Sequence, residues 1–169
     1  MITTNVRRAL TGIGMAALLG AFPASDAAAQ TSDSFQVLAS VAENCIINTP
    51  NALDFADYDP TSGTDDDAET TISLRCTKGT TAEVLISLGG NPSGGQRRMT
   101  GQTLSETLNY DLYTDSSRTS PWGDTAGAGY DHTAASAAWT DVTVYGRIPA
   151  GQDVSVDAYE DTVTATVNF

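Results

Sequence analysis

Two cysteines are the residues with the clearest chemistry in this sequence. Cys45 and Cys76 are an isolated pair, and such a pair in an exported chain is typical of one disulfide. Closing a loop of about thirty residues would stabilise the fold by roughly 3–4 kcal/mol on the chain-entropy model. Two cysteines and a single histidine, His132, are too few ligands for structural zinc. We therefore predict a Cys45–Cys76 disulfide and no metal or other cofactor.

An acidic stretch early in the chain raises the question of calcium. Asp57, Asp59 and the run at 65–67 are all carboxylates, but an EF-hand loop starting at Asp57 needs glycine at its sixth position and an acid at its twelfth. Those positions hold Ser62 and Ala68. We favour a solvated acidic loop, with a looser surface calcium site as the alternative.

Catalytic patterns are weaker still. His132 stands in a loop rich in alanine and glycine, with no Gly-x-Ser-x-Gly nearby. Residues 94–98 lack the Lys-Ser/Thr ending of a phosphate-binding loop and indicate a hairpin turn instead. Acids are common, yet no pair is singled out for glycosidase chemistry. We predict that the chain is not an enzyme; Trp122 and Trp139 leave a carbohydrate-binding module as one alternative.

The N-terminal segment predicts export. Arg7 and Arg8 precede an apolar stretch at 10–22, and three alanines at 27–29 supply the small residues that signal peptidase accepts. The apolar stretch is too short to span a bilayer as a permanent helix. We predict a signal peptide over residues 1–29, cleavage before Gln30, and no membrane insertion of the mature chain.

The charge balance excludes two classes of partner. The sequence has 21 acidic and 8 basic residues, a net charge of −13, and removing the predicted signal peptide takes away two of the arginines. Nucleic acids and anionic lipids are bound by basic patches. We therefore expect neither as a partner, and a surface that stays soluble by self-repulsion.

The elements that position these residues are strands. Apolar side chains alternate with polar ones at a period near two, which places one face on a core and one in water. The segments are 84–88, 108–112, 142–144, 154–158 and 163–169. Stretches rich in Gly and Pro separate them. This pattern predicts a single all-β sandwich over residues 42–169.

One alternating segment has two interpretations. Phe35, Val37, Ala39 and Val41 alternate with their neighbours directly after a polar run at 30–34. The segment is either an ordinary first strand of the sandwich or an extension that leaves its own domain and inserts into another.

Five groups of residues carry a resemblance to a known family. The most specific are Tyr145-Gly146-Arg147-Ile148-Pro149 and the terminal Thr166-Val167-Asn168-Phe169. The groups lie at 44–47, 53–59, 72–79, 108–115 with 122–123, and 144–152 running on to 159–169. In order and spacing they resemble the spore coat protein U domain, the fold of archaic chaperone–usher pilins. The two cysteines stand at the family's cysteine positions.

The resemblance implies an incomplete immunoglobulin-like sandwich that lacks its last strand. It implies an open groove flanked by the final strand, whose groove-edge residues are Val163, Ala165, Val167 and Phe169. It also implies that residues 30–41 form an N-terminal donor strand, with Phe35, Val37, Ala39 and Val41 facing a neighbouring subunit's groove. A periplasmic chaperone fills the groove first, and strand exchange follows at an outer-membrane usher.

The function implied is that of a pilus subunit. We expect a structural subunit of an archaic chaperone–usher pilus, secreted through the periplasm to the cell surface and serving adhesion and biofilm formation. Its partners would be identical or related pilin subunits, the chaperone and the usher. The alternatives are a secreted spore-coat or surface-layer protein of the same fold and the carbohydrate-binding module.

Overall fold

The computed structural model describes residues 29–49 and 51–169. The chain divides between Ala39 and Ser40 into two units. Residues 29–39 of the first unit contain no strand or helix, and the second unit contains every strand described below. Apart from Ala29, the predicted signal peptide lies outside the described residues.

Nine strands follow one another along the second unit. They are β1 (Cys45–Asn48), β2 (Asp66–Cys76), β3 (Thr81–Ile86), β4 (Arg97–Gly101), β5 (Thr107–Tyr113), β6 (Tyr130–Thr133), β7 (Thr140–Ile148), β8 (Tyr159–Glu160) and β9 (Ala165–Asn168). The described residues contain no helix, and so none that could cross a bilayer. The all-β prediction is confirmed.

The strands form two sheets. The larger sheet has the order β1-β2-β7-β5-β4-β8, and the smaller one has the order β6-β3-β9. All the strand pairs are antiparallel. The sheets pack face to face, because the alternating apolar side chains of β2, β3, β5 and β7 all point to the interior. The core consists of Ile72, Leu74, Val84, Ile86, Leu108, Tyr110, Leu112, Trp122, Val142, Val144 and Ile148.

The turn predicted at residues 94–98 is present at the start of β4. Ser93 and Gln96 exchange backbone hydrogen bonds of 3.0 Å in both directions. Gly94 and Gly95 between them both have positive φ, at 58° and 88°, the conformation of a two-residue hairpin turn whose twist matches the flanking strands.

The prediction of a strand at residues 154–158 was wrong. This segment is a loop, and Val156 is fully exposed. Its polar atoms bind carboxylates and loop amides in place of a strand ladder: Ser155 N donates to Glu106 at 2.7 Å, and the Asp157 carboxylate accepts from Thr103 N and Leu104 N at 2.8 and 2.9 Å. Alternation of side chains alone did not reveal this competing hydrogen bonding.

Candidate strand-accepting groove

One edge of the smaller sheet is open. β9 pairs with β3, and no other described strand pairs with its opposite edge. Ser87 N donates to Thr164 O at 2.9 Å, so the alternate residues Thr164, Thr166 and Asn168 direct their backbone groups toward β3. The backbone N–H and C=O groups of Val163, Ala165 and Val167 must then face the open edge. An added strand would find its hydrogen-bonding partners there.

An apolar cavity of about 490 Å³ lies beside this edge, and we call it the groove. Its floor is made of core residues from both sheets: Ile72, Ile86, Met99, Tyr110, Leu112 and Val144. The first wall follows β1 and is formed by Thr49, Asn51, Ala52, Leu53 and Phe55. The second wall is residues 159–165, which run from β8 to the first residue of β9. The groove thus exposes core side chains next to an unpaired strand edge.

A second cavity of about 580 Å³ adjoins the groove. The two share five lining residues from both walls and the floor: Leu53, Phe55, Met99, Tyr159 and Glu160. The second cavity extends over Leu108 and Ile148 of the larger sheet. The opening beside β9 therefore continues along the interior face of the larger sheet.

The second wall is held by a carboxylate. Asp161 accepts from the Tyr110 hydroxyl at 2.6 Å and from Gly90 N at 2.7 Å. Burial, together with the hydrogen bond to Asp161, raises the pKa of the Tyr110 phenol far above its usual range. The phenol therefore remains protonated and donates to Asp161 at physiological pH.

Another side of the sandwich is closed by a long loop. Trp122 is 1% exposed, its N–H donates to Leu112 O of the larger sheet at 2.8 Å, and Ile86 N of the smaller sheet donates to Gly123 O at 3.0 Å. The indole N–H of Trp122 donates to Val84 O at 2.7 Å. This buried position leaves Trp139, which is half exposed, as the tryptophan that a sugar could contact.

Arg97 is buried among these elements, and sequence analysis missed it. Its guanidinium donates to Ile86 O at 2.8 Å, Ser87 O at 3.0 Å and Trp122 O at 2.7 Å, and Asp111 lies 3.8 Å away. Burial lowers the pKa of the Arg97 guanidinium and raises that of the Asp111 carboxyl. The available signal was its place two residues before Met99 in a strand, which puts both side chains on the interior face.

The predicted disulfide is confirmed. Cys45 of β1 and Cys76 of β2 are directly opposite each other in the ladder, and their sulfurs are bonded at 2.04 Å. Cys76 is buried with Ala82 and Ala134, and Val167 of β9 packs against this cluster. The disulfide therefore holds the edge strand β1 close to the end of β9.

Removing the disulfide should cost about 2–5 kcal/mol of unfolding free energy, as in other small secreted domains. The test is urea unfolding of Cys45→Ser/Cys76→Ser against the oxidised wild type. Adding a reducing agent should lower the wild-type midpoint and leave that of the double variant unchanged. A shift of both midpoints would show that the reductant acts elsewhere.

The predicted donor and groove-edge residues lie in different surroundings. Phe35, Val37 and Val41 are more than four-fifths exposed, and Ala39 between them is exposed too. In the predicted groove edge, Val163 and Ala165 line the groove, Val167 packs on the core, and Phe169 is 54% exposed.

Carboxylates of the acidic stretch form ion pairs with arginines. Asp65 and Asp67 contact Arg147 at 3.3 and 2.8 Å, and Arg118 lies 3.2 Å from Asp67. Asp59 accepts from the backbone and hydroxyl of Thr61. Within residues 29–49 and 51–169, no three acidic, cysteine or histidine side chains are grouped to hold a metal ion. His132, considered above for catalysis, lies on β6 opposite Ala82.

These ion pairs predict an acid dependence. The hydrogen bond from Arg147 lowers the pKa of Asp67, so the ionised carboxylate is favoured in the folded state. This stabilisation is complete above the pKa of the unfolded chain, about 3.9, and is lost as the pH falls through the lower folded value. Asp67→Asn should therefore be less stable than wild type at pH 7, and the difference should shrink below about pH 4. Urea unfolding midpoints of both proteins at about pH 7 and at about pH 3 measure this difference.

Asp131→Asn is the matched control, because Asp131 is exposed on the edge strand β6. Its midpoint should follow that of wild type at both pH values. A gap between Asp67→Asn and wild type that persists unchanged at pH 3 would contradict the assignment to the Asp67 carboxylate.

Comparison with known proteins identifies the family. The chain matches the model of the Spore Coat Protein U domain over residues 31–166. Protein U of Myxococcus xanthus is 33% identical to it over 178 residues, covering 97% of this chain and 98% of that protein.

Two solved structures are similar to this chain. One is a chain of the CsuC–CsuE chaperone–tip adhesion subunit pre-assembly complex, from the archaic chaperone–usher Csu pili of Acinetobacter baumannii. It superposes with a TM-score of 0.58 at 22% identity, over 76% of this chain and 40% of that one. A chain of a chaperone–tip adhesin complex described for CFA/I fimbriae biogenesis gives a TM-score of 0.46 at 13% identity, over 73% and 41%.

The first of these similarities confirms the immunoglobulin-like sandwich. This chain spans 40% of the matched chain in that complex, whereas it spans nearly all of Protein U. Family model, full-length relative and fold agree, and the chain belongs to the Spore Coat Protein U domain family.

Proposed function

We propose that this chain is a structural subunit of an archaic chaperone–usher pilus that polymerises by donor-strand exchange. The observation that carries the proposal is the open backbone edge of β9 beside an apolar groove floored by core residues. Such a surface invites strand addition, in which backbone hydrogen bonds supply affinity and alternate side chains fill pockets. Left uncovered, it is an aggregation hazard.

The occupant we propose is residues 35–41 of another copy. Apart from Leu38, these residues alternate in polarity, and their apolar side chains are exposed. A strand rises about 3.3 Å per residue, so the six steps from Phe35 to Val41 span roughly 20 Å. The groove edge from Val163 to Phe169 has the same number of steps. The proposed donor and the edge it would pair with are therefore matched in length.

Burial supplies the driving force for this docking. Phe35, Val37 and Val41 would each contribute roughly 1.5–3 kcal/mol on full burial. Each ladder hydrogen bond would add about 0.5–1.5 kcal/mol. Ala39 contributes least because it is small, and Leu38 would place an apolar side chain on the outward face. The odd-numbered side chains thus provide most of the affinity.

The partners follow from the need to cover the groove. A periplasmic chaperone would fill it first, and an outer-membrane usher would be the site where the donor strand of an identical or related subunit replaces the chaperone. The fold shared with a chain of the CsuC–CsuE complex supports this assignment. Secretion to the cell surface, adhesion and biofilm formation complete the proposal.

The test is the state of the mature chain made with and without its chaperone. Without chaperone we expect degradation, aggregates or strand-swapped oligomers, because the groove is uncovered. Co-expression with the chaperone should give a one-to-one complex in gel filtration. A monodisperse, stable monomer that survives deletion of residues 30–41 would contradict the proposal, since a monomer that depends on this segment indicates self-docking.

A second candidate is a secreted spore-coat or surface-layer protein that does not form a pilus. The observation in its favour is the similarity to Protein U over nearly its full length, in a family whose name refers to the spore coat. The two candidates differ in outcome. A pilus subunit is recovered from cells as detergent-resistant oligomer ladders that disappear when the usher is deleted, whereas coat incorporation is independent of an usher.

A further inference from the structure

The Asp161 carboxylate ties the second wall of the groove to the larger sheet and to the loop that connects β3 to β4. Tyr110, its partner at 2.6 Å, belongs to β5 of the larger sheet, and Gly90, its partner at 2.7 Å, follows β3 of the smaller sheet. The ring of Tyr110 is part of the groove floor. One side chain thus joins the wall, the floor and the loop that follows β3.

The backbone around the carboxylate is shaped to receive it. Gly89 has a positive φ of 86°, and a Cβ at this position would clash with Asp161 Oδ2. Only glycine leaves this space free and adopts this conformation without strain. The Asp161 carboxylate therefore fills a space bounded by Gly89, Gly90 and the Tyr110 hydroxyl.

The second wall has another tie three residues later. Ser87 N donates to Thr164 O at 2.9 Å, and Thr164 N donates to the Ser87 hydroxyl at 2.9 Å. The Ser87 carbonyl is occupied by Arg97. Between the two ties stands Val163, which lines the groove and is 37% exposed.

An empty apolar groove is expected to close. Dispersion and the hydrophobic effect both favour moving Val163 and its neighbours inward, because open space beside core side chains leaves them without contacts. The ties at Asp161 and Thr164 oppose that movement at either side of Val163.

We propose that Asp161 and Tyr110 are positioning residues that keep the unoccupied groove open to an incoming strand. The inference rests on the proposed function and deepens it. Their hydrogen bond fixes the position of the second wall relative to the floor, so that the β9 edge and the groove are presented together. Loss of the bond frees the wall to move over the groove and slows docking.

The experiment compares Tyr110→Phe and Asp161→Asn with Asp153→Asn in the full-length oxidised chain. Asp153 is an exposed carboxylate that lines neither cavity, which makes it the matched control. Amide hydrogen exchange measures how well the second wall is protected, and the association rate of a synthetic peptide of residues 30–42 measures docking. We expect exchange at Gly90 and residues 162–164 to rise, and peptide association to slow, each by roughly tenfold, as for losing one hydrogen bond to a charged group.

The two readouts separate this inference from the proposed function. Failure of wild type to capture the peptide counts against donor-strand exchange, while the exchange rates still decide whether the bond holds the wall. Unchanged exchange in both variants overturns the inference, and so does peptide association as fast as in wild type. If Asp161→Asn does not fold, Tyr110→Phe carries the test, because it removes a single hydroxyl.

Discussion

Val37→Asp is expected to abolish assembly, while Gln36→Asp leaves it nearly intact. In a docked strand, successive side chains point alternately into the groove and into water. A carboxylate at position 37 would have to be buried without a partner, or the strand would remain undocked. Loss of about 3 kcal/mol is already more than a hundredfold in affinity. The measurement is filament yield from intact cells, with periplasmic subunit level showing whether folding failed instead.

The neighbouring positions provide controls within the same segment. Phe35→Asp should behave like Val37→Asp, and Ser40→Asp like Gln36→Asp. Leu38→Asp should be milder than Val37→Asp, because position 38 has the parity of the outward face. Equal damage at odd and even positions would contradict docking and return residues 35–41 to an ordinary loop or first strand.

The alternating segments predicted the strands whose backbone has no competing partner. β3, β5, β7 and β9 all fall within or overlap predicted segments. Residues 154–158 have the same alternation, yet Glu106 accepts from Ser155 N and Asp157 accepts from Ala158 N. The carboxylates are distant in sequence or belong to the loop itself, so a pattern of apolar side chains cannot reveal them.

β2 shows the opposite failure of periodicity. No part of it lies in a predicted alternating segment, and its first half, from Asp66 to Thr71, has little apolar alternation. It is nevertheless paired along its length with β7, and its outward-facing Asp67 binds Arg147 across the two strands. A cross-strand ion pair stabilises the sheet, but the sequence does not show which acid lies opposite which arginine.

The groove was expected from family resemblance, and its detailed geometry was not. Val163 and Ala165 line it as the predicted edge requires. The Tyr110–Asp161 bond joins residues 51 positions apart, and the three carbonyls bound by Arg97 come from the end of β3 and from the loop after β5. Contacts of this range depend on the packing of both sheets, which no local pattern specifies.

Arg97→Met is expected to destabilise the fold by about 3–5 kcal/mol, the cost of removing one partner from a buried charged network. Methionine fills similar space but leaves the carbonyls of Ile86, Ser87 and Trp122 without this donor. Each buried acceptor left unsatisfied costs roughly 1–3 kcal/mol. The whole free energy of unfolding of a small domain is only about 5–15 kcal/mol. Urea unfolding, followed by the fluorescence of Trp122, measures the loss of stability. The backbone carbonyl of Trp122 is one of the three acceptors of Arg97.

Arg98→Met is the matched control on the same strand. Arg98 has the opposite parity to Arg97, is half-buried, and donates to Asn91 in the adjoining turn. Its loss should cost no more than about 1.5 kcal/mol, the net value of an ordinary hydrogen bond. Arg97→Lys should resemble Arg97→Met, because one ammonium cannot reproduce the planar fork that reaches three carbonyls. Equal midpoints for the Arg97 and Arg98 variants would show that the buried guanidinium does not hold the two sheets together at this side of the sandwich.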